Sequence, residues 1–301
     1  MSIRKSAKRN LTTAAVFSLV VLFGPGNQFA YGESQPNLSA CSFVRTDSPQ
    51  TKQPSPYDPS DYDRLLQTHV NDKGWVDYAG LARERTALNH FLDQLASVSP
   101  QEFKDQSAKL AFWINAYNGF TLADALDTAY GKHQSVRQVR GFFDGRKHAV
   151  AGEQLTLDEI EKRGRDLHDP RIHFAIVCAS TSCPKLQRFA YTEEKLDSQL
   201  DQAAREFLAD PKRGLRYDTK NNELYVSPIF KWYAGDFTGN EGSLWARVKA
   251  TVSGSDLLRF IEQYAPPEVS NKIRENAPTV HYFDYDWSLN SLDTHAVGIK
   301  R

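Results

Sequence analysis

The chain has 301 residues, and its 37 Lys and Arg balance 37 Asp and Glu. That balance sets up no basic field toward nucleic acid or an anionic membrane, so no nucleic-acid partner is expected. Aromatic residues reach 12%, which suits a well-filled core, an aromatic binding surface, or both.

Arg4, Lys5, Lys8 and Arg9 form a basic head without an acid. Leu11 to Phe23 is nearly all apolar, and Ala30-Tyr31-Gly32 places small residues where a signal peptidase reads. This order predicts a secretory signal peptide over 1–32 and a secreted or periplasmic protein. The apolar run falls short of the roughly twenty residues a membrane span needs, so no transmembrane segment is expected. Leu38-Ser39-Ala40-Cys41 resembles a lipoprotein box, but Gly24 to Asn37 separate it from the apolar run. A lipid anchor at Cys41 is therefore the minor alternative to an unpaired or intermolecular cysteine. Residues 33–56, rich in Ser, Pro, Gln and Thr, predict a flexible spacer before one domain over 57–295.

Within that domain, Ser60-Asp61 opens a helix carrying Leu65, Leu66 and Val70. Gly74 to Tyr78 reads as a short extended piece, and Leu81, Leu88, Leu92 and Leu95 predict a second helix. Pro100 opens the next, and Leu110 to Ala129 is a long, mostly apolar helix, hence a central one. A hairpin is expected around Asp144-Gly145 within 141–155. Thr156 and Glu159 make a capping box for a short helix over 157–165.

Ile172 to Val177 predicts a buried strand leading into a polar loop that ends at Cys183-Pro184. Thr192 caps an amphipathic helix with Leu196, Leu200, Ala203 and Phe207. Two short alternating runs around Asn221-Asn222 predict another hairpin. Ile229 to Phe237 reads as one helical stretch, Leu257 to Tyr264 as another helix, and Val280 to Phe283 as a closing strand. The order predicts an α+β fold, a helix-rich single domain with a small, largely antiparallel sheet.

Six runs carry a family resemblance: Val76-Asp77-Tyr78, Phe112 to Asn118, Asp169 to Ala175, Ser182-Cys183-Pro184, Ile229 to Tyr233 and Tyr285 to Asn290. Together they resemble the domain of unknown function 547 family, in order from about residue 60 to 291. The resemblance implies no assigned activity. The chain departs from the family pattern after Glu161, where Lys162 stands in place of an expected His.

Two chemical readings stay open. In the first, Cys183 is the nucleophile of a thiol-dependent hydrolase or transferase acting on amide or thioester bonds. His173 is its base, and Asn115 (or Asn118) orients the imidazole. Strand alternation sets His173 and Cys178 on opposite faces, which makes Cys183 the better partner and leaves Cys178 buried and inert. Arg171 offers a nearby cation. In the second reading, Cys178 and Cys183 close a structural disulfide, and the domain is a non-catalytic module for a small molecule, a peptide or a cell-wall glycan. Trp113, Tyr117, Trp232, Tyr233, Tyr285 and Trp287, with Asn115, Asn118, Asp236 and Asn290, would then line the cleft. No cofactor is expected, and no metal either. His173, Cys178 and Cys183 lack the usual zinc spacing, and Asp284 and Asp286 alone are weak evidence for calcium.

Overall fold

The computed structural model describes residues 57–238 and 254–296, all within one compact unit spanning 53–301. The predicted signal peptide, spacer and Cys41 lie outside the described residues.

The fold is α+β and helix-rich. Helices α1 (Ser60–His69) and α2 (Tyr78–Arg83) pack on α3 (Arg85–Ser97), and α3 packs on α4 (Gln106–Asp124), which continues as a π-turn through Ala129. The single helix expected over Leu81 to Leu95 is thus two, parted at Glu84. In α4 the Asp105 side chain accepts the Ala108 N–H at the start, and the buried residues then encircle the helix. Such all-round burial marks the centre of a core. Gly119 lets α3 approach, since a Cβ there would lie 2.8 Å from the Phe91 ring.

The expected hairpin is present, but its turn is not at Asp144-Gly145. Strands β1 (His148–Val150) and β2 (Glu153–Leu155) pair antiparallel around Ala151-Gly152. Both turn residues have positive φ, 53° and 74°, the geometry that a two-residue hairpin with right-handed strand twist demands. Gly141 to Gly145 instead closes a separate turn through the Gly145 N–H to Gly141 C=O bond.

Helix α5 (Leu157–Arg165) begins with the expected capping box: Thr156 accepts the Glu159 N–H and Glu159 accepts the Thr156 N–H. The next segment departs from expectation. Pro170–Phe174 is a 3₁₀ helix, capped by the Asp169 side chain on the Arg171 N–H, and no strand spans Ile172 to Val177. Pro170 at the first helical position, with Asp169 before it, favours a helical start. The apolar content that suggested a strand serves burial on several sides instead.

Thr192 leads through a 3₁₀ turn (Glu193–Lys195) into α6 (Leu196–Leu208), without the predicted side-chain cap bond. Strands β3 (Leu215–Asp218) and β4 (Glu223–Val226) pair antiparallel, and β5 (Thr279–Tyr282) joins β4 in parallel. The stretch expected as one helix over 229–237 breaks at Tyr233 into α7 (Ile229–Trp232) and α8 (Ala234–Thr238). Helix α9 (Gly254–Tyr264) precedes α10 (Pro267–Asn276), and α11 (Leu292–Ala296) follows β5. No element was expected for α10, whose buried residues are only Ser270 and Ile273.

Two apolar clusters form the core. The first gathers around α1 to α5 and includes Ile172, Ala175 and Ile176. The second gathers around α6, β3, β4, α7 and α9 and includes Phe174. The ring of Phe174 meets Phe207, Phe230, Phe237 and Phe260 at centroid distances of 5.4 to 6.0 Å. Phe230 is fully buried in this set. Replacing Phe230 by Ala is expected to cost about 3–5 kcal/mol, as for other buried aromatic truncations. Urea denaturation checks this. A loss below about 1 kcal/mol would place Phe230 among surface-like positions.

Candidate functional site

Six segments converge on a cleft of about 150 Å³. Helix α4 contributes Tyr117, α5 contributes Asp158 and Glu161, and the 3₁₀ helix with its exit contributes His173 and Ile176. The loop after it brings Cys178, Cys183 and Pro184, α7 with its cap brings Trp232 and Tyr233, and the run after β5 brings Tyr285 and Trp287.

The loop is held by its neighbours' backbone. Thr181 N–H donates to Ser288 C=O (2.8 Å) and Ser182 N–H to Asp286 C=O (3.1 Å). The Asp286 N–H returns a bond to Ser182 Oγ at 2.9 Å. From the other side, Asn118 Nδ2 donates to Ala175 C=O (2.9 Å), and its Oδ1 accepts the Val177 N–H (2.8 Å). The runs that carry the family resemblance are therefore largely the runs that build this loop and the cleft beside it.

Cys178 and Cys183 are joined in a disulfide with Cα atoms 6.4 Å apart. Exposure runs opposite to the expectation: Cys183 is 3% exposed, whereas Cys178 is half-buried. The reason lies in the replaced strand. Once Ile172 to Val177 is not a strand, face alternation no longer decides which sulfur is covered. Cys183 Sγ faces three donors, the Cys178 N–H (3.1 Å), Ser180 Oγ (3.3 Å) and Tyr285 Oη (3.2 Å).

His173 does not meet Asn115. Its Nε2 lies 2.7 Å from Asp236 Oδ2, and since a carboxylate only accepts, Nε2 carries the proton. Arg165 grips the same carboxylate in two bonds, Nε to Oδ2 at 2.7 Å and Nη2 to Oδ1 at 3.0 Å. Burial alone would raise the Asp236 pKa, but the bonds from His173 and Arg165 overcome it and hold the carboxyl well below its ordinary range. Burial lowers the His173 pKa, with Asp236 pulling against it. Tyr233 stacks on the His173 ring at 4.1 Å and receives the Arg165 guanidinium over its face at 4.7 Å.

A second carboxyl has the opposite character. Glu161 is largely buried and its pKa is raised by that burial, with a Tyr233 hydrogen bond and the Arg165 charge only partly offsetting it. Asp158, one turn earlier on the same face of α5, is also raised, by burial and then by Asp144 and Glu159. Tyr117 and Tyr233 have pKa values pushed up by burial, so both remain phenols. Trp232 is 47% exposed. Its ring lies 4.8 Å from Tyr285, and Tyr285 lies 4.6 Å from Trp287, which makes a contiguous aromatic rim.

Of the residues singled out from sequence, the cleft brings together Cys183, Cys178, His173 and Tyr117 with the aromatics Trp232, Tyr233, Tyr285 and Trp287. Asn115 lies in the core, donating to Tyr57 Oη and Tyr191 C=O and accepting the Tyr191 N–H. These partners fix the Asn115 amide in the core, while His173 takes Asp236 as its partner. Asn118 is the loop clamp described above. Trp113 is buried against Phe112 in the core. Arg171 faces a separate groove, neutralised by Asp169, Asp197 and Asp201 at 2.6 to 2.8 Å. The residues that sequence reasoning passed over are Asp158, Glu161, Arg165 and Ser180. The first three recur at spacings of three and four on α5, one helical face of charge behind a capping box. Among the described residues, no group of three or more His, Cys, Asp or Glu is placed to hold a metal ion.

The family model described as Protein of unknown function, DUF547, matches residues 100–208. This stretch carries a domain of that family and contains α4, α5, the 3₁₀ helix, the disulfide loop and α6. No curated protein and no solved structure matches the chain.

The raised Glu161 pKa has a definite sign for stability. A group raised in the folded state contributes stability that is fully present below its unfolded pKa, near about 4.3, and is lost as pH rises through the folded value. Glu161→Gln, which keeps an acceptor for Tyr233, is therefore expected to match the wild type near pH 4 and to melt higher at pH 7. Thermal melts across that window check it. An advantage that vanishes or reverses toward pH 7 would mean an ionised Glu161 held by Arg165.

Proposed function

We propose that the cleft binds a saccharide unit, and that the chain is an exported glycan-binding module of the cell envelope that does not hydrolyse its ligand. The observation that carries this reading is the open aromatic rim of Trp232, Tyr285 and Trp287 above a floor of phenols and a carboxyl poised toward its neutral form. Aromatic faces stack on the apolar side of a sugar ring, and the tips of Tyr117, Tyr233 and Glu161 offer both donors and acceptors to its hydroxyls. At about 150 Å³ the cleft is smaller than the roughly 300–1,000 Å³ of drug-sized sites. It suits one residue of a longer chain that continues over the rim.

The disulfide and the Asp236-bound His173 favour this reading over the thiol hydrolase, whose Cys183 would need a free thiol and a base within reach. Among the described residues no helix is long and apolar enough to cross a membrane.

Titration of the intrinsic tryptophan fluorescence with soluble cell-wall glycan fragments tests the module. Saturable quenching is expected, and Trp232→Ala is expected to weaken binding about tenfold or more, or ~1.4 kcal/mol, the scale of an aromatic hot spot. Saturation by stem peptide but not by glycan, or hydrolysis of a thioester by the wild type, would overturn it.

Export is tested separately. N-terminal sequencing of protein recovered outside the cytoplasm is expected to begin at Glu33. An acylated Cys41 at the N-terminus would establish a lipid anchor instead, and an intact Met1 would remove both.

A further inference from the structure

We propose that the Cys178–Cys183 disulfide is an exchangeable redox centre that oxidises a thiol-bearing ligand entering the cleft, with Cys178 receiving the attack and Cys183 leaving as thiolate. The inference does not rest on the saccharide reading.

The asymmetry of the two sulfurs carries it. Both cysteines line the cleft, but Cys178 is half-buried while Cys183 is 3% exposed, so an incoming thiolate reaches Cys178 Sγ. The leaving sulfur alone faces the Cys178 N–H, at 3.1 Å, and shares the Ser180 and Tyr285 hydroxyls, at 3.3 and 3.2 Å, with Cys178 Sγ, which they approach at 3.1 and 3.5 Å. A sulfur in a disulfide is a weak acceptor, whereas a thiolate is a strong one. These donors therefore gain most when the bond is broken. Burial pushes the Tyr285 pKa up to about 12, against the bond to Ser180, so the phenol keeps its proton to donate. A disulfide whose reduced form is selectively stabilised is an oxidant, and a leaving thiol of low pKa departs faster. The short loop adds to this: Ala179, between the cysteines, has φ 60°, a left-handed conformation that disfavours any residue but glycine.

The chemistry balances in two steps. The ligand thiolate attacks Cys178 Sγ; a ligand–Cys178 S–S bond forms, the Cys178–Cys183 bond breaks, and its electron pair passes to Cys183 Sγ. A second thiolate, from the same dithiol or from another molecule, attacks the ligand sulfur and releases Cys178 as thiolate. The ligand leaves as a disulfide, oxidised by two electrons. The protein is reduced by two, and the protons lost by the two thiols are available to its cysteines.

The test uses the full mature protein in glutathione buffers without denaturant, with alkylation and mass spectrometry of each cysteine. Wild type is expected to reach a reversible mixture of oxidised and reduced forms. In Cys183→Ser, oxidised glutathione is expected to attach to Cys178, and in Cys178→Ser, Cys183 is expected to stay unmodified. Loss of one charge-assisted bond in Tyr285→Phe or Ser180→Ala is expected to shift the equilibrium about tenfold toward the disulfide. Glutathione and a dithiol peptide run in parallel distinguish a small thiol from a peptide thiol by which is oxidised faster. A wild-type disulfide that stays closed in excess reduced glutathione, attachment at Cys183 rather than Cys178, or an unshifted equilibrium in folded Tyr285→Phe and Ser180→Ala would each overturn the proposal. The wild-type arm stands even if a variant does not fold.

Discussion

The buried amides of α4 are the constraint on which the rest depends. The segment from Ala175 to Val177 runs through the core without strand partners; the Ala175 and Ile176 N–H groups bond back to Ile172 C=O, but the Ala175 C=O and the Val177 N–H have no ladder to satisfy them. Leaving a buried N–H or C=O unpaired would cost on the order of 1–3 kcal/mol each. Asn118 answers both needs with one side chain, and Asn115 does the same for Tyr191 at the far end of the loop. Between these two anchors the chain is free to bulge outward into the cleft wall, carrying the two cysteines with it. Polar residues in the middle of a buried helix are thus the reason an irregular loop has a fixed shape.

The cleft sorts its acids by neighbour. Asp236 is held ionised because it takes hydrogen bonds from two side chains that remain donors, His173 and both arms of Arg165. Glu161 shares the same arginine only at 3.8 Å, too far to offset its burial, and so its pKa stays raised. Tyr233 lies between them, stacked on the histidine and under the guanidinium. Aromatic rings, phenols and the carboxyls of Asp158 and Glu161 line the cleft, while the Asp236 carboxylate is tied to His173 and Arg165.

Much of the scaffold was legible because its signals are local. The capping box of Thr156 and Glu159, the leucine spacing of α1 and α3, and the alternation around Asn221-Asn222 each rest on residues within a few positions of one another. What misled was equally local: Ile172 to Val177 has the apolar content of a strand, but its identity was decided by distant partners on α4 and by the 286–290 run that pairs with the loop. The candidate site suffered most from this. Strand alternation puts the wrong sulfur on the buried face, and a Cys-His-Asn pattern pairs His173 with Asn115, whose partners are Tyr57 and Tyr191 instead. Asp236 reads from sequence only as a sugar-facing carboxylate, since nothing in the sequence links positions 173 and 236. Helix α5 shows the remedy, because its acids and Arg165 share one face and could have been read as a set.

Phe174 has a bearing on what the matched stretch is as a physical object. Its ring belongs to the second apolar cluster, against Phe230, Phe237 and Phe260, while Ala175 beside it and Ile172 two residues before it belong to the first. Residues 100–208 therefore contain one side of a contact whose other side lies downstream. Cut out alone, that stretch would present a phenylalanine socket to solvent and lose the Tyr285 to Asn290 run that braces its loop. The boundary drawn by sequence similarity is not a boundary of autonomous folding, and the two clusters are expected to melt as one cooperative body.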